Sequence, residues 1–297
     1  MQSDLWRRNN EWFDTTAKID WDKFKHSDFF YKIALWNPSA NGVRYLKMLL
    51  YNLGMGLSEY HLNVLNKIPN RNIGNPYSVM VNGCEFDFDY LNSAYEISTI
   101  KDYLDLSEKR ILELGAGYGR TCHSIISNFD IDEYVIVDLD TMLQISRQYL
   151  HKVLPSNQYK KIHFVSADNI SSLSGDFDLA IQIDGFNEMD REVVFKYLDI
   201  ISETCNYFYT KNPVGKYLDA SLDNHWEGKV FVDSALSAGV ITDIIDIHND
   251  TENKSQIDRF VDIFCPNRVY GQNWNCLHSS WAPPISFMAE AFYCRGF

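Results

Sequence analysis

Apolar positions along this chain change their period near residue 90. Before about Asn92 they recur at helical spacing, most clearly over Gly42–Leu53 and Leu57–Ile68, amid many aromatic residues. No strand–turn–helix alternation appears there, so residues 1–92 are expected to form an N-terminal, mainly helical cap or substrate region. Pro69–Asp89, with its N-R-N-I-G-N-P and V-N-G-C-E-F stretches, has the Asn, Gly and Pro content of turns and room for a short hairpin. Ser93 followed by Glu96 has capping-box spacing, which predicts a helix starting there and running to about Leu104.

From Arg110 onward, short apolar runs alternate with amphipathic ones. Arg110–Leu114, Tyr134–Val137, Ile162–Ser166, Phe177–Ile183 and Asn206–Thr210 read as strands. Tyr118–Phe129, Thr141–Leu154 (stopped by Pro155) and Arg191–Thr204 read as the helices between them. This alternation predicts an α/β, doubly wound core over residues 93–266, with Ile241–Ile247 and Arg259–Phe264 as candidates to close its parallel sheet. The tail, residues 267–297 with Trp274, Trp281 and Pro283–Pro284, reads as irregular and aromatic, packed on the core or the acceptor site.

Composition narrows the partners. A formal net charge of -13, without any Lys/Arg cluster, opposes phosphate backbones, so nucleic acid is not expected. The six cysteines are scattered without zinc-type spacing and read as free thiols of a reducing cytoplasm. The start, MQSDLWRRNNEWF, lacks the apolar core of a leader, and no run approaches the roughly 20 apolar residues of a membrane span. Oligomeric state leaves no signal in the pattern.

The strongest local signal is Ile111-Leu-Glu-Leu-Gly-Ala-Gly-Tyr-Gly-Arg120, a strand running into a glycine loop and then a helix. Gly115, Gly117 and Gly119 let the backbone turn and approach a ligand, while the helix start offers unpaired N–H groups. The spacing is G-x-G-x-G, not the G-x-G-x-x-G of dinucleotide sites. Glu113 is also awkward beside a pyrophosphate and welcome beside an ammonium or a sulfonium. The next strand ends at Asp138, placed to accept both ribose hydroxyls of an adenosine. The third is followed by Asp168 and Asn169, placed to meet an adenine amino group.

In this order the residues resemble the class I S-adenosylmethionine methyltransferase superfamily, over about Arg110 to Thr210. The resemblance implies a Rossmann-like, seven-stranded sheet whose last strand is antiparallel. It implies S-adenosylmethionine as cofactor, held by Glu113, Gly115, Ala116, Gly117, Tyr118, Asp138, Leu139, Asp168, Asn169 and Asp184. Arg120 is a candidate partner for the methionine carboxylate, or a solvated surface arginine.

The fourth strand ends in Asp184-Gly-Phe-Asn-Glu-Met-Asp190, where Asp184 and Glu188 can reach the cleft and Phe186 can flank the sulfonium by a cation–π contact. This turn, the G-A-G-Y-G-R loop and Lys211-Asn-Pro-Val-Gly215 resemble a bacterial family of sugar O-methyltransferases of surface-polysaccharide clusters, with Asn187 departing from commoner residues. The resemblance implies a small-molecule or glycan acceptor: a polysaccharide precursor or a glycosylated metabolite.

A sugar hydroxyl needs its proton removed as the bond to carbon forms. His225, in Asp223-Asn-His-Trp226, is the favoured base, and His278 beside Trp281 is the runner-up. Glu188 fits a base, a cap for the helix starting near Asp190, or, with Asp184, a Mg²⁺ ligand. Competing readings are a phenol or amine methyltransferase, a non-catalytic cofactor-binding scaffold and an NAD-dependent dehydrogenase.

Overall fold

The computed structural model describes residues 2–13, 20–22, 24–26, 42–173, 175–217, 229–246, 248–267, 273–282 and 287–296. Helices α1 (Asp4–Phe13), α2 (Val43–Met55) and α3 (Glu59–Lys67) precede a hairpin of β1 (Val79–Val81) and β2 (Cys84–Phe86). The hairpin turns at Asn82 and Gly83, whose φ values of 49° and 77° are those of a two-residue turn matching strand twist. Helix α4 (Phe88–Lys101) then leads into the core.

The core alternates as its apolar pattern predicts: β3 (Arg110–Leu114), α5 (Arg120–Asn128), β4 (Glu133–Asp138), α6 (Asp140–Val153) and the short α7 (Ser156–Tyr159). It continues with β5 (Ile162–Ser166), β6 (Phe177–Ile183), α8 (Arg191–Thr204) and β7 (Cys205–Pro213). Beyond these lie β8 (Lys216–Tyr217), α9 (Lys229–Ser237), β9 (Ile244–Ile245), α10 (Asp250–Phe264), β10 (Trp274–Trp281) and β11 (Met288–Arg295).

Seven strands form one sheet in the order β10-β11-β7-β6-β3-β4-β5. Strands β3 to β7 pair in parallel, and β11 inserts antiparallel between β7 and β10. The chain thus adopts the doubly wound, Rossmann-like sheet with an antiparallel last strand.

Residues alternate between the faces, so each strand feeds two cores. Ile111, Ile136, Ile181 and Phe292 pack with α2 to α6, whereas Leu112, Val137, Ala180 and Tyr293 pack with α8 and α10. Leu50, Leu65 and Tyr90, from the predicted cap region, share the first of these cores with the sheet.

Four expectations are corrected. Arg259–Phe264 is the last part of helix α10, where Ile257, Phe260, Val261 and Phe264 follow helical spacing onto the second core. Ile244–Ile245 pairs only with Lys216–Tyr217, in a separate small sheet. The tail supplies the closing strands instead. Its Glu290 interrupts the apolar run of β11 but is buried against Tyr209 and Thr99 hydroxyls at 2.6 and 3.0 Å. Finally, Ser93 and Glu96 cap nothing: they lie inside α4, whose cap is Asp87, accepting the N–H groups of Asp89 and Tyr90 at 2.8 and 3.1 Å. Among the described residues, no helix is long and apolar enough to cross a membrane.

Candidate active site

The site grows from the turn between β3 and α5. Gly117 adopts φ +58°, and a Cβ added there would meet nothing within 4 Å, so this side of the loop stands open to a ligand. Gly119, at φ +94°, caps α5 without a side chain, and a Cβ there would press to 2.8 Å from Leu150. The first N–H groups of α5 therefore begin at a bare backbone edge.

Asp138, at the end of β4, braces this loop. Its Oδ2 accepts the Gly117 N–H at 3.0 Å and its Oδ1 the Leu139 N–H at 2.7 Å. Burial pushes its carboxyl up to about 7 against these bonds and the N–H of Ala116. Burial likewise pushes Glu113 up to about 7, opposed by the Tyr134 hydroxyl, which donates to it at 2.9 Å. Both acids face one cleft with about 1030 Å³ of empty space, partly open to solvent.

Gly115, Ala116, Gly117, Tyr118, Arg120, Leu139, Asp184 and Glu188 line the same cleft. Asp168 and Asn169 stand in the 3-10 turn Ala167–Ser172, of which Ala167 lines the cleft. Neither Asp168 nor Asn169 is in the described cleft wall; the lining Tyr197 phenol is pushed up to about 12 by burial, then by the Asp138 and Asp168 carboxylates.

Arg120 is no surface arginine. It is buried, donates to Glu96 at 2.6 Å and to the Ser93 hydroxyl at 2.7 Å, and keeps one edge on the cleft. Lys211 of β7 reaches the same Glu96 at 3.0 Å and Asn92 at 2.8 Å. Burial would raise Glu96, but Arg120 and Lys211 more than offset it and hold the carboxyl at about 2. Two buried cations thus share one buried anion beside the α5 N-terminus.

The turn after β6 is held from beneath. Asp184 sits at φ +54°, an uncommon conformation for a residue with a side chain, and its N–H donates to the Lys211 carbonyl at 2.8 Å. With its amide turned so that Oε1 faces the turn, Gln182 would accept the N–H groups of Gly185 at 2.7 Å and Phe186 at 3.0 Å. The buried Lys216 ammonium donates to the Asn187 carbonyl at 2.8 Å. Burial lowers Lys216 to about 8, against the pull of Glu188 and Asp184.

Phe186 is displaced from its expected role. It is fully buried in the second core, stacked on Tyr197 and Phe264, because the turn's N–H bonds point its ring under the sheet's end. His278 lies on β10, where its Nε2 meets the Ser280 hydroxyl at 3.1 Å, and is not part of the cleft wall. His225 falls outside the described residues. Gln2, Ser3 and Trp6 complete the wall, with the Gln2 Nε2 shielded from solvent and lacking a hydrogen-bond partner. No sequence motif marks these three residues, since only folding carries α1 to the cleft. Lys211 was visible only as part of a motif, and Lys216 carried no signal.

No protein-family model matches the sequence, and no curated protein matches it significantly. Among solved structures, the pyocyanin biosynthetic protein PhzM is 14% identical with a TM-score of 0.42, the match covering 69% of this chain and 55% of that one. The chain thus spans about half the length of PhzM. The mitomycin 7-O-methyltransferase MmcR is 10% identical with a TM-score of 0.45, over 92% of this chain and 70% of that one. Magnesium protoporphyrin IX methyltransferase from Synechocystis PCC 6803, solved with bound SAH, is 11% identical with a TM-score of 0.44, over 71% and 89%.

Proposed function

We propose that the chain is an S-adenosylmethionine-dependent O-methyltransferase acting on a sugar hydroxyl. The observation that carries this reading is the charge layout of the cleft: Glu113, Asp138, Asp184 and Glu188 against Arg120 as the one lysine or arginine among the lining residues described. Two phosphates would be repelled there, whereas a cofactor with a sulfonium, an ammonium and ribose hydroxyls finds acceptors. Its carboxylate finds Arg120 and the α5 N–H groups.

When bound, S-adenosylmethionine supplies a methyl group activated by cationic sulfur. Asp138 would accept from the ribose hydroxyls, and Glu113 would offset the cationic end. Asp184 and Glu188 would orient a hydroxyl for in-line attack, and one of them, or His225, would take its proton as the O–C bond forms and the C–S bond breaks. Gln2 and Trp6 suit the far face of a sugar ring, through an amide donor and an aromatic surface. Mg²⁺ held by Asp184 and Glu188 remains part of the proposal. Among the described residues no group of three or more His, Cys, Asp or Glu gathers as a metal site.

Calorimetric titration of the protein with S-adenosylmethionine, S-adenosylhomocysteine and NAD tests the reading. Binding of the first two and not the third is expected, followed by methyl uptake on nucleotide sugars, with and without a chelator. Absence of binding at millimolar concentration by the folded protein sinks it. Binding without methyl uptake by any glycan, phenol or amine supports the scaffold instead.

The affinity should also depend on pH. Glu113 and Asp138 ionise near 4 when unfolded and at about 7 when folded. Their ionisation therefore costs the free protein stability as pH rises through about 7. A cationic ligand that donates to both favours the ionised forms, so binding expels protons. S-adenosylmethionine affinity is expected to rise with pH up to about 7, by up to roughly 10-fold per unit for each group, then level off. Calorimetry in buffers of different ionisation enthalpy counts the protons released; no release at pH 6 contradicts the assignment.

A further inference from the structure

Lys25 belongs to the short 3-10 turn Phe24–His26, yet its side chain is buried against elements far along the chain. Its ammonium lies 4.6 Å from the ring centre of Tyr90, 5.1 Å from Tyr118 and 5.3 Å from Tyr149. It also donates to the Tyr149 hydroxyl at 3.3 Å and to the Arg71 carbonyl at 3.4 Å. A buried ammonium is costly unless compensated. Here burial opposes the charge, but Tyr149, Asp87 and Asp89 outweigh it and raise Lys25 above its ordinary value.

One wall of this cage belongs to the cofactor loop. Tyr118 stands between Gly117 and Gly119, lines the cleft and donates its hydroxyl to Asp89 Oδ2 at 2.7 Å. The other oxygen of Asp89 has no hydrogen-bond partner; burial and the Asp87 carboxylate push Asp89 up to about 7, against the pull of Lys25, Arg120 and the Tyr118 hydroxyl. An apolar side chain could fill the same volume as Lys25. It could not set a cation over the Tyr118 ring or offset the buried acids Asp87 and Asp89.

We propose that Lys25 is a positioning residue for the cofactor-binding loop: with its ammonium over the Tyr118 ring, and with the Tyr118 hydroxyl bonded to Asp89, it fixes the loop that presents the Gly117 N–H to Asp138. The inference rests on the cofactor reading above and adds to it a residue 93 positions upstream of Tyr118. The loop's glycines leave its backbone free to move, and Tyr118 is the side chain that ties it down. Lys25 brings a distant segment to bear on cofactor affinity without touching the cofactor.

The test uses Lys25→Met, of similar length and uncharged, beside Tyr118→Phe and the double variant, titrated with S-adenosylhomocysteine well below the unfolding midpoint. Each single variant should bind roughly 10-fold more weakly, and the double variant no more weakly than the worse single one. Amide exchange over Gly117–Gly119 in the free protein should quicken in both. A lower midpoint with unchanged affinity and exchange, or losses that multiply in the double variant, overturns the proposal. Should Lys25→Met not fold, Tyr118→Phe carries the test, and unchanged affinity and exchange there overturn it. Failure of the unsubstituted protein to bind S-adenosylhomocysteine sinks the cofactor reading itself, whereas the exchange comparison stays independent of it.

Discussion

Asp138→Ala is expected to weaken S-adenosylmethionine binding by roughly 100-fold or more. The carboxylate does two things at once. It would accept the ribose hydroxyls, and it already holds the N–H groups of Gly117 and Leu139. A hydrogen bond to a charged group contributes about 1.5–3 kcal/mol, so losing the two to the ribose hydroxyls costs at least about 3 kcal/mol, or about two decades in affinity, while the N–H bonds already present in the free protein act on its loop and stability. Asp138→Asn, which keeps an acceptor oxygen for one of these N–H groups, should lose less. The free protein tells the same story in reverse: ionising Asp138 is unfavourable there, with its carboxyl pushed to about 7. At pH 8, Asp138→Asn should therefore unfold at a temperature no lower than the unsubstituted protein. Calorimetric titration and a thermal melt check both; tight binding by Asp138→Ala contradicts the placement of the ribose.

Glu96→Ala is expected to be the most destabilising single change near the cleft. It leaves Arg120 and Lys211, both buried, without the anion they share. Removing one side of a buried ion pair costs about 3–5 kcal/mol, here with two cations stranded. The unfolding midpoint should fall by roughly 10 °C. The acid limb should change as well. Glu96 is held at about 2, below its unfolded value, so its contribution is present above about pH 4 and is lost as pH falls towards 2. The unsubstituted protein should lose stability across that window, and Glu96→Ala should lose less. Melts at pH 7 and pH 3 distinguish the two; a midpoint at pH 7 within a degree of the unsubstituted protein contradicts the pairing.

The two residues differ in how visible they are before folding. Asp138 ends an apolar strand at a fixed distance from a glycine loop, a local pattern with a local physical reason. Glu96 has the look of a helix-start residue beside Ser93, yet Asp87 caps the helix earlier and turns Ser93 and Glu96 inward. Arg120 likewise sits at the start of α5, where a cation opposes the helix dipole, and its compensating charge lies 24 residues away in sequence and 2.6 Å away in space.

Local order along the chain determined the doubly wound core, the five parallel strands, the hairpin turn at Asn82-Gly83 and the acids that follow the strands. Each follows from the side-chain period of a strand or helix, or from the backbone needs of a turn. Tertiary structure alone decided which strands close the sheet, because β10 is a largely polar edge strand and β11 hides Glu290 against hydroxyls from Thr99 and Tyr209. It also decided that Phe186 is core, that Arg120 and Lys211 share Glu96, and that Gln2, Ser3, Trp6 and Lys25 reach the cleft or its supporting loop. These contacts join residues far apart in the chain, and burial and charge pairing that depend on such distances leave no periodic trace in the sequence.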